Sequence, residues 1–379
     1  MHVKYRIGLL IILGFGLSQL TVAQDASYIL KSQSFKEAPS AINLSPDASL
    51  LLAGFTDGTL RILDPESFVV SLELKNAHFK ELKAIDMSPR MEMILSAGHN
   101  TIHLWDLQGN KLDTWGKHAT NIWNAELSQN GLWVVSSAFN KTFLLWDVKQ
   151  LTLAESMRGH TDVCLAVSIS PDNRWIASGS KDQTLRIWDL ETRELLSTFE
   201  GPAELVYDLE FSPDSRLLAV CSQEKTIRIY EADSTNLLHI LKGHQDHVME
   251  AEFSPDGRYL LSGSADHSLI LWDLRSGEKI YQFLEKGPVT DLVFHPNGQS
   301  FYSISSAGEL IHWEIHPEIF VLRYYEEAYL KELSAEKKFE PRRKGESKKE
   351  YQSRQLGAAP LKEKIVDRFY QLYLKEQDL

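Results

Sequence analysis

One period runs through this chain and leaves few folds open to it. The string SGSKDQTLRIWD, residues 178–189, returns 84 residues later as SGSADHSLILWD, residues 262–273. Aligned on its tryptophan, the equivalent positions are Leu63, Trp105, Trp146, Trp188, Tyr230, Trp272 and Trp313, spaced 42, 41, 42, 42, 42 and 41 residues apart. A second landmark keeps step: Ser45-Pro-Asp, Ser88-Pro-Arg, Ser128-Gln-Asn, Ser170-Pro-Asp, Ser212-Pro-Asp, Ser254-Pro-Asp and His295-Pro-Asn. A catalytic motif has no need of copies, whereas seven copies at a fixed period are the mark of a repeat architecture.

Within a unit, short runs of β-branched and aromatic residues alternate with Pro, Asp, Asn and Gly. The fourth unit reads CLAVSIS, PDNR, WIASGS, KDQ, TLRIWDL, ETRE, LLSTFEG. Such a unit predicts three or four antiparallel strands joined by tight turns. A sheet this small cannot bury both faces alone, so seven of them closing radially predict an all-β, seven-bladed β-propeller over residues 24–314. The ring must also be closed, because an open one leaves strand edges unpaired. YILKSQSFKEAP, residues 28–39, resembles the last strands of other units, and a strand at about 27–37 is expected to complete blade seven. The competing candidate is EIFVLRYY, residues 318–325, but its sequence continues as a helical pattern.

Gly159-His160 and Gly243-His244, the Ser-Pro-Asp turns and the Trp-Asp strand ends resemble the WD-repeat family over about residues 26–314. The resemblance implies a buried hydrogen-bonded tetrad in each well-formed blade. His160, Ser178, Asp182 and Trp188 match it, as do His244, Ser262, Asp266 and Trp272; His118, Ser136, Asn140 and Trp146 form a weaker third set. A buried indole N–H needs an acceptor, a hydroxyl both accepts and donates, and the acid orients the imidazole. Other blades depart from the pattern. Blade five has Gly201-Pro202, Tyr230-Glu231 and an isolated Glu224, and blade seven has Gly287-Pro288 and Ala307. Blade one ends Leu63-Asp64, and blade two has His99 at the acid position.

The family often binds peptides on the face where the channel opens, at positions six residues before the Ser-Pro-Asp proline. Here those are Ser40, Lys83, Trp123, Leu165, Tyr207, Met249 and Thr290. The expected partner-binding rim is Lys83, Trp123, Phe139, Lys181, Tyr207 and Met249, a ring of aromatic and flexible side chains suited to capturing a protein or peptide. The inner strands carry Asp86, Glu126, Asp208, Glu210, Glu250, Glu252 and Asp291. These acids are read as a hydrated channel wall, or as paired with nearby Lys and Arg, or as a negative pore for a cation or basic side chain. No phosphate loop, zincin helix, nucleophile elbow or cysteine-based metal spacing is present. The expectation is a non-enzymatic scaffold with no cofactor and no metal; the alternative is a propeller lyase or lactonase using a metal in the channel.

The ends carry separate messages. Lys4 and Arg6 precede an uncharged apolar run, Ile7–Leu20, too short to span a bilayer, and Thr21-Val-Ala23 has the small residues of a cleavage site. Residues 1–23 therefore read as a signal peptide, with the mature protein exported and not inserted in a membrane. Residues 24–314 hold 24 basic against 40 acidic side chains, which argues against nucleic acid. Cys164 and Cys221 lie in apolar runs and read as buried thiols. The tail, residues 315–379, predicts a helix from Pro317 to about Phe339 and a second opened by Pro360, with Leu361, Ile365, Phe369, Leu372 and Tyr373 on one face. It is read as a solvated appendage, or as helices that bind a partner or self-associate.

Overall fold

Runs of four to seven strand-forming residues, broken at fixed places, give seven four-stranded antiparallel sheets, the blades of a β-propeller. The structure is a computed structural model describing residues 28–116, 118–336, 339 and 348–377, and residues 1–23 lie outside these. The chain forms two compact units. One is Leu30–Trp313; the other is built on the segment from Glu314 onward, together with Tyr28 and Ile29.

Blade four shows the plan: Cys164–Ile169 lines the channel, followed outward by Trp175–Ser180, Thr184–Asp189 and Leu195–Glu200. Blade seven takes three strands from one end of the propeller, Val289–Phe294, Ser300–Ser305 and Glu309–Glu314. Its outer strand is Ile29–Ser34 from the other end. Residues 318–325 are helical and take no part in that sheet.

The Ser-Pro-Asp landmark is the turn from the first strand to the second. In blade four, Ser170 Oγ donates to Asp172 Oδ1 and accepts from the Trp175 amide, 2.6 and 2.9 Å away. The fourth residue of this turn is left-handed in every blade: Ala48, Met91, Gly131, Asn173, Ser215, Gly257 and Gly298. Only some are glycine, so the serine bonds hold even the alanine and methionine in a conformation that costs them strain.

Each first strand also carries a β-bulge one residue from its start. The register steps from Ile122 to Asn124, from Val206 to Asp208, and correspondingly in all seven blades. The core lies between blades. Leu95, Ile102 and Leu104 of blade two meet Ala125, Leu127 and Trp146 of blade three, for example. Cys164 and Cys221 are free and buried in these layers.

In the second unit, α1 (Glu318–Ala335) and α2 (Lys348–Gln377) pack through Val321, Tyr329, Ile365, Val366 and Phe369. Tyr329 donates to Glu318 Oε1 at 2.6 Å, and Lys362 donates to Glu318 Oε2 at 2.7 Å. Two expectations are corrected here. α1 ends at Ala335, and Pro360 lies inside α2 instead of opening it. The helix formers from Lys348 to Ala359 carry the helix through the proline, at the loss of one backbone hydrogen bond. Of the expected apolar face, Leu372 is exposed. No helix among the described residues is long and apolar enough to cross a membrane.

Candidate functional site at the channel mouth

The bulged residues are the rim. The register skips Ser40, Lys83, Trp123, Leu165, Tyr207, Met249 and Thr290, one in each blade. A bulge re-aims a side chain that regular pleating would send elsewhere. All of these except Leu165, which is fully buried, line a cavity of about 360 Å³ in the channel.

At the mouth, four rings form a chain across the blades. Trp123 meets Phe139 edge-on at 5.5 Å and Tyr207 at 5.8 Å, and Tyr207 stacks on His247 at 5.8 Å. Trp123 Nε1 donates to the Tyr207 carbonyl at 3.0 Å. The ammonium of Lys83 lies 5.3 Å from the Trp123 ring centre and donates to Glu81 at 2.9 Å. Phe139 is 46% exposed. Of the expected rim, Lys181 stands apart: its side chain is exposed and does not line the cavity. Glu81 was not singled out from sequence and His247 was noted there only beside His244 and Glu250 in a metal-like string, not as a rim residue, since the column the two share varies in residue type from blade to blade.

Below the mouth, all seven acids line the cavity wall with Asn43 and Asn124. Their position in the repeat explains their work. Asp208, Glu250 and Asp291 sit four residues before the landmark, and Asp86, Glu126, Glu210 and Glu252 two before. The inner strand of each blade leaves its channel edge unpaired, and five acids reach forward to satisfy the next blade's amides. Asp86 accepts from Leu127 N at 2.8 Å, Glu126 from Ile169 N at 3.3 Å and Asp208 from Ala251 N at 3.2 Å. Glu252 accepts from Phe294 N, and Asp291 from Ile42 N at 2.8 Å, which joins blade seven to blade one. The expected pairing with Lys and Arg is absent among the described residues; backbone N–H groups take that place.

Amide bonds do not offset burial. Asp86 and Asp208 are pushed up to about 6, Asp291 to about 7 and Glu252 to about 8, in each case first by desolvation. Glu126, Glu210 and Glu250 rise well above the carboxylate range through desolvation and then the charge of neighbouring acids. The wall therefore releases its protons over a range that begins below neutrality with Asp86 and Asp208 and extends above it with Glu252. No group of three or more His, Cys, Asp or Glu among the described residues is arranged to hold a metal ion.

Behind the rim, blades four and six each carry a complete tetrad. Trp188 Nε1 donates to Ser178 Oγ at 2.9 Å, Ser178 meets His160 Nε2 at 2.9 Å, and His160 Nδ1 faces Asp182 at 3.0 Å. Trp272, Ser262, His244 and Asp266 repeat this at 2.8, 2.8 and 3.1 Å. Burial pushes Asp182 up, but bonds from Thr184, the Thr161 amide and His160 outweigh it and bring the acid to about 2.

Residues 109–147, 151–189, 193–231 and 235–273 match WD40, the WD domain, G-beta repeat. The chain carries four WD40 repeats. No curated protein matches it. The four matched WD40 stretches are consecutive and end at Asp147, Asp189, Glu231 and Asp273. The propeller continues with the same strand order on both sides of them. A WD40 propeller is a fold typical of protein-interaction scaffolds.

The remaining blades depart from the tetrad in ways that spacing concealed. In blade three, His118 and Trp146 bond Ser136 at 2.7 and 2.8 Å, but His118 Nδ1 has no partner among the described residues. Asn140 is not part of this network; its oxygen accepts from Thr142 N at 3.0 Å, because an uncharged amide gains more from the local turn than from a buried imidazole. Blade two has an unforeseen set, His78, Ser96 and Trp105, with both bonds at 2.8 Å. His99 does not supply its acid, since that ring faces Asn100 at 2.7 Å. In blade five Glu224 is not idle. It accepts from Ala203 N at 2.8 Å and pairs with Arg228 at 3.0 Å, tying down the same entry loop that Asp182 holds through Thr161. In blade seven the histidine position is Glu285, not Pro288.

Proposed function

We propose that this protein is an exported, non-enzymatic scaffold that binds a protein or peptide partner at the channel mouth, with a lysine or arginine of the partner directed toward the acidic wall. The observation that carries this reading is the coincidence of seven bulges, six lining side chains and an aromatic row at one opening, over carboxyls that lack a cationic partner among the described residues. Trp123 and Tyr207 offer rigid contact area and the ring faces that cations favour. Acids beneath them raise the encounter rate of a basic segment. Export rests on the residue 1–23 pattern, and the mature chain would begin at or near Gln24. N-terminal sequencing of protein recovered outside the cytoplasm tests this, and an intact Met1 would refute it.

The binding reading is tested by pull-down with the mature protein, then by affinity of the captured partner for wild type, Trp123→Ala, Tyr207→Ala and a chain ending at Glu314. Loss of binding in the rim variants is expected. Undiminished binding there, with loss in the truncated chain, would assign recognition to the helical tail.

A further inference from the structure

Blade seven holds a polar pair found in no other blade. Where blades four and six place a histidine 18 residues ahead of the tetrad serine, blade seven has Glu285, 18 residues ahead of Ser303. Trp313 Nε1 donates to Ser303 Oγ at 2.7 Å, and Ser303 donates on to Glu285 Oε1. Glu309 occupies the place of Thr184 and Ser268, whose hydroxyls face the imidazole Nδ1 at 3.3 and 3.1 Å. Its Oε1 accepts from Lys286 Nζ and, at 3.4 Å, from Ser34 Oγ of the closing strand. Glu285 and Glu309 are only 8% and 6% exposed, and Oε2 of each is buried without a partner among the described residues.

The chemistry of the position decides what those two oxygens need. A neutral imidazole accepts at Nε2 from the serine and donates from Nδ1. A carboxyl group can do the same only when it carries a proton, accepting at one oxygen and donating from the other. Two buried carboxylates with one ammonium between them would leave a charge uncompensated. Other charges near the closing strand are engaged: Lys31 donates to the Glu66 carbonyl at 3.1 Å, and Lys36 lies 3.6 Å from Glu37. The Ser305 hydroxyl, also buried, lies near enough to Glu285 to lower its pKa but makes no hydrogen bond of good geometry among the described residues.

We propose that Glu285 and Glu309 share one proton, and that this proton latches strand Ile29–Ser34 onto blade seven, making ring closure the pH-sensitive joint of the propeller. The proton sits on Glu285 Oε2 and is donated to Glu309 Oε2, extending the line Trp313–Ser303–Glu285 to Ser34. Burial, aided by the charge of Glu309, pushes Glu285 up to about 7, which places release of this proton near neutrality.

The test is amide hydrogen exchange on the full chain at about pH 6 and about pH 8.5, corrected for intrinsic exchange chemistry. Protection of Leu30–Ser34 should fall by up to about tenfold between the two pH values, dropping as pH rises toward release of the shared proton and levelling off above it, the yield of one linked proton. The outer strand of blade five, Leu237–Lys242, should keep its protection in the same samples. Glu285→Gln supplies acceptor and donor without titrating, so it should hold the strand at both pH values; Glu309→Gln tests the pair from the other side. Three results would overturn the proposal. Protection of Leu30–Ser34 could stay constant with pH, fall equally in Leu237–Lys242, or drop in Glu285→Gln as in wild type. Loosening of the strand by a chelator at high pH would instead assign the pair to a metal cation.

Discussion

Trp123 of blade three donates its indole hydrogen to the main-chain carbonyl of Tyr207 in blade five, passing over the whole of blade four. The bond ties together two bulged residues and fixes the ring plane that a partner would meet. Trp123→Ala should lose about 2 kcal/mol or more of partner binding. Trp123→Phe keeps a ring but frees the carbonyl, and should lose an intermediate amount. Calorimetric titration of the two variants checks this order; equal losses would mean that the indole hydrogen bond, not the ring face, carries the contact.

Lys83 holds a cation over Trp123 before any partner arrives. Lys83→Met removes a charge that repels a basic segment and competes for the same ring. Affinity for a basic peptide should rise by about 0.5–1 kcal/mol, most of it in the on-rate at low salt. Stopped-flow association at two ionic strengths measures it. A weaker complex would place Lys83 among the contacts instead.

Stability and binding should respond to pH in opposite directions. The wall acids have folded-state pKa values raised above their unfolded ones, so the native state binds extra protons. The stability this contributes is present at low pH and is lost as pH rises through about 6 to 8. His78, His103 and His118 are depressed, to about 3, 4 and 4, chiefly by desolvation, and act the other way only below their unfolded value of 6.5. Denaturant midpoints should therefore fall between pH 6.5 and 8, and Glu252→Gln should flatten that slope. A basic peptide prefers the ionised wall, so its affinity should climb over the same interval with release of protons. Midpoints that rise across this interval would show that the wall is already ionised.

Asp182→Ala should destabilise the fold by about 1–3 kcal/mol, since it strands both the imidazole and the Thr161 amide. Glu224→Ala should cost about 1–2 kcal/mol by freeing the Ala203 amide and the Arg228 guanidinium. Asn140→Ala, with only a turn bond to lose, should cost under about 1 kcal/mol. Chemical denaturation of the three variants decides the order, and an Asn140 loss equal to that of Asp182 would return the amide to the tetrad.

The repeat made the fold legible because each turn and each bulge recurs in phase, and the rim column fell out of the same count. Where a residue's role depends on its neighbour in space, the count was blind. Asp291 reads as one more acid until Ile42, at the far end of the propeller, supplies its amide. Glu285 was hidden because Gly287-Pro288 imitates the entry pair of blade five. Asn140 kept the spacing of an aspartate but not its charge. His78 was missed because its serine and tryptophan are nine residues apart, not ten.

Five of the acids lean one way round the ring, each toward the next blade, and so the last link has a different history from the others. Most of these links span one repeat, as from Asp86 to Leu127 or from Glu252 to Phe294. Asp291 must find an amide 249 residues distant in sequence. Closing so long a loop costs more chain entropy before any contact returns it, and non-local pairings of this kind slow folding. A newly made chain can assemble its blades in order as they emerge, yet the circle becomes a circle only in its final step.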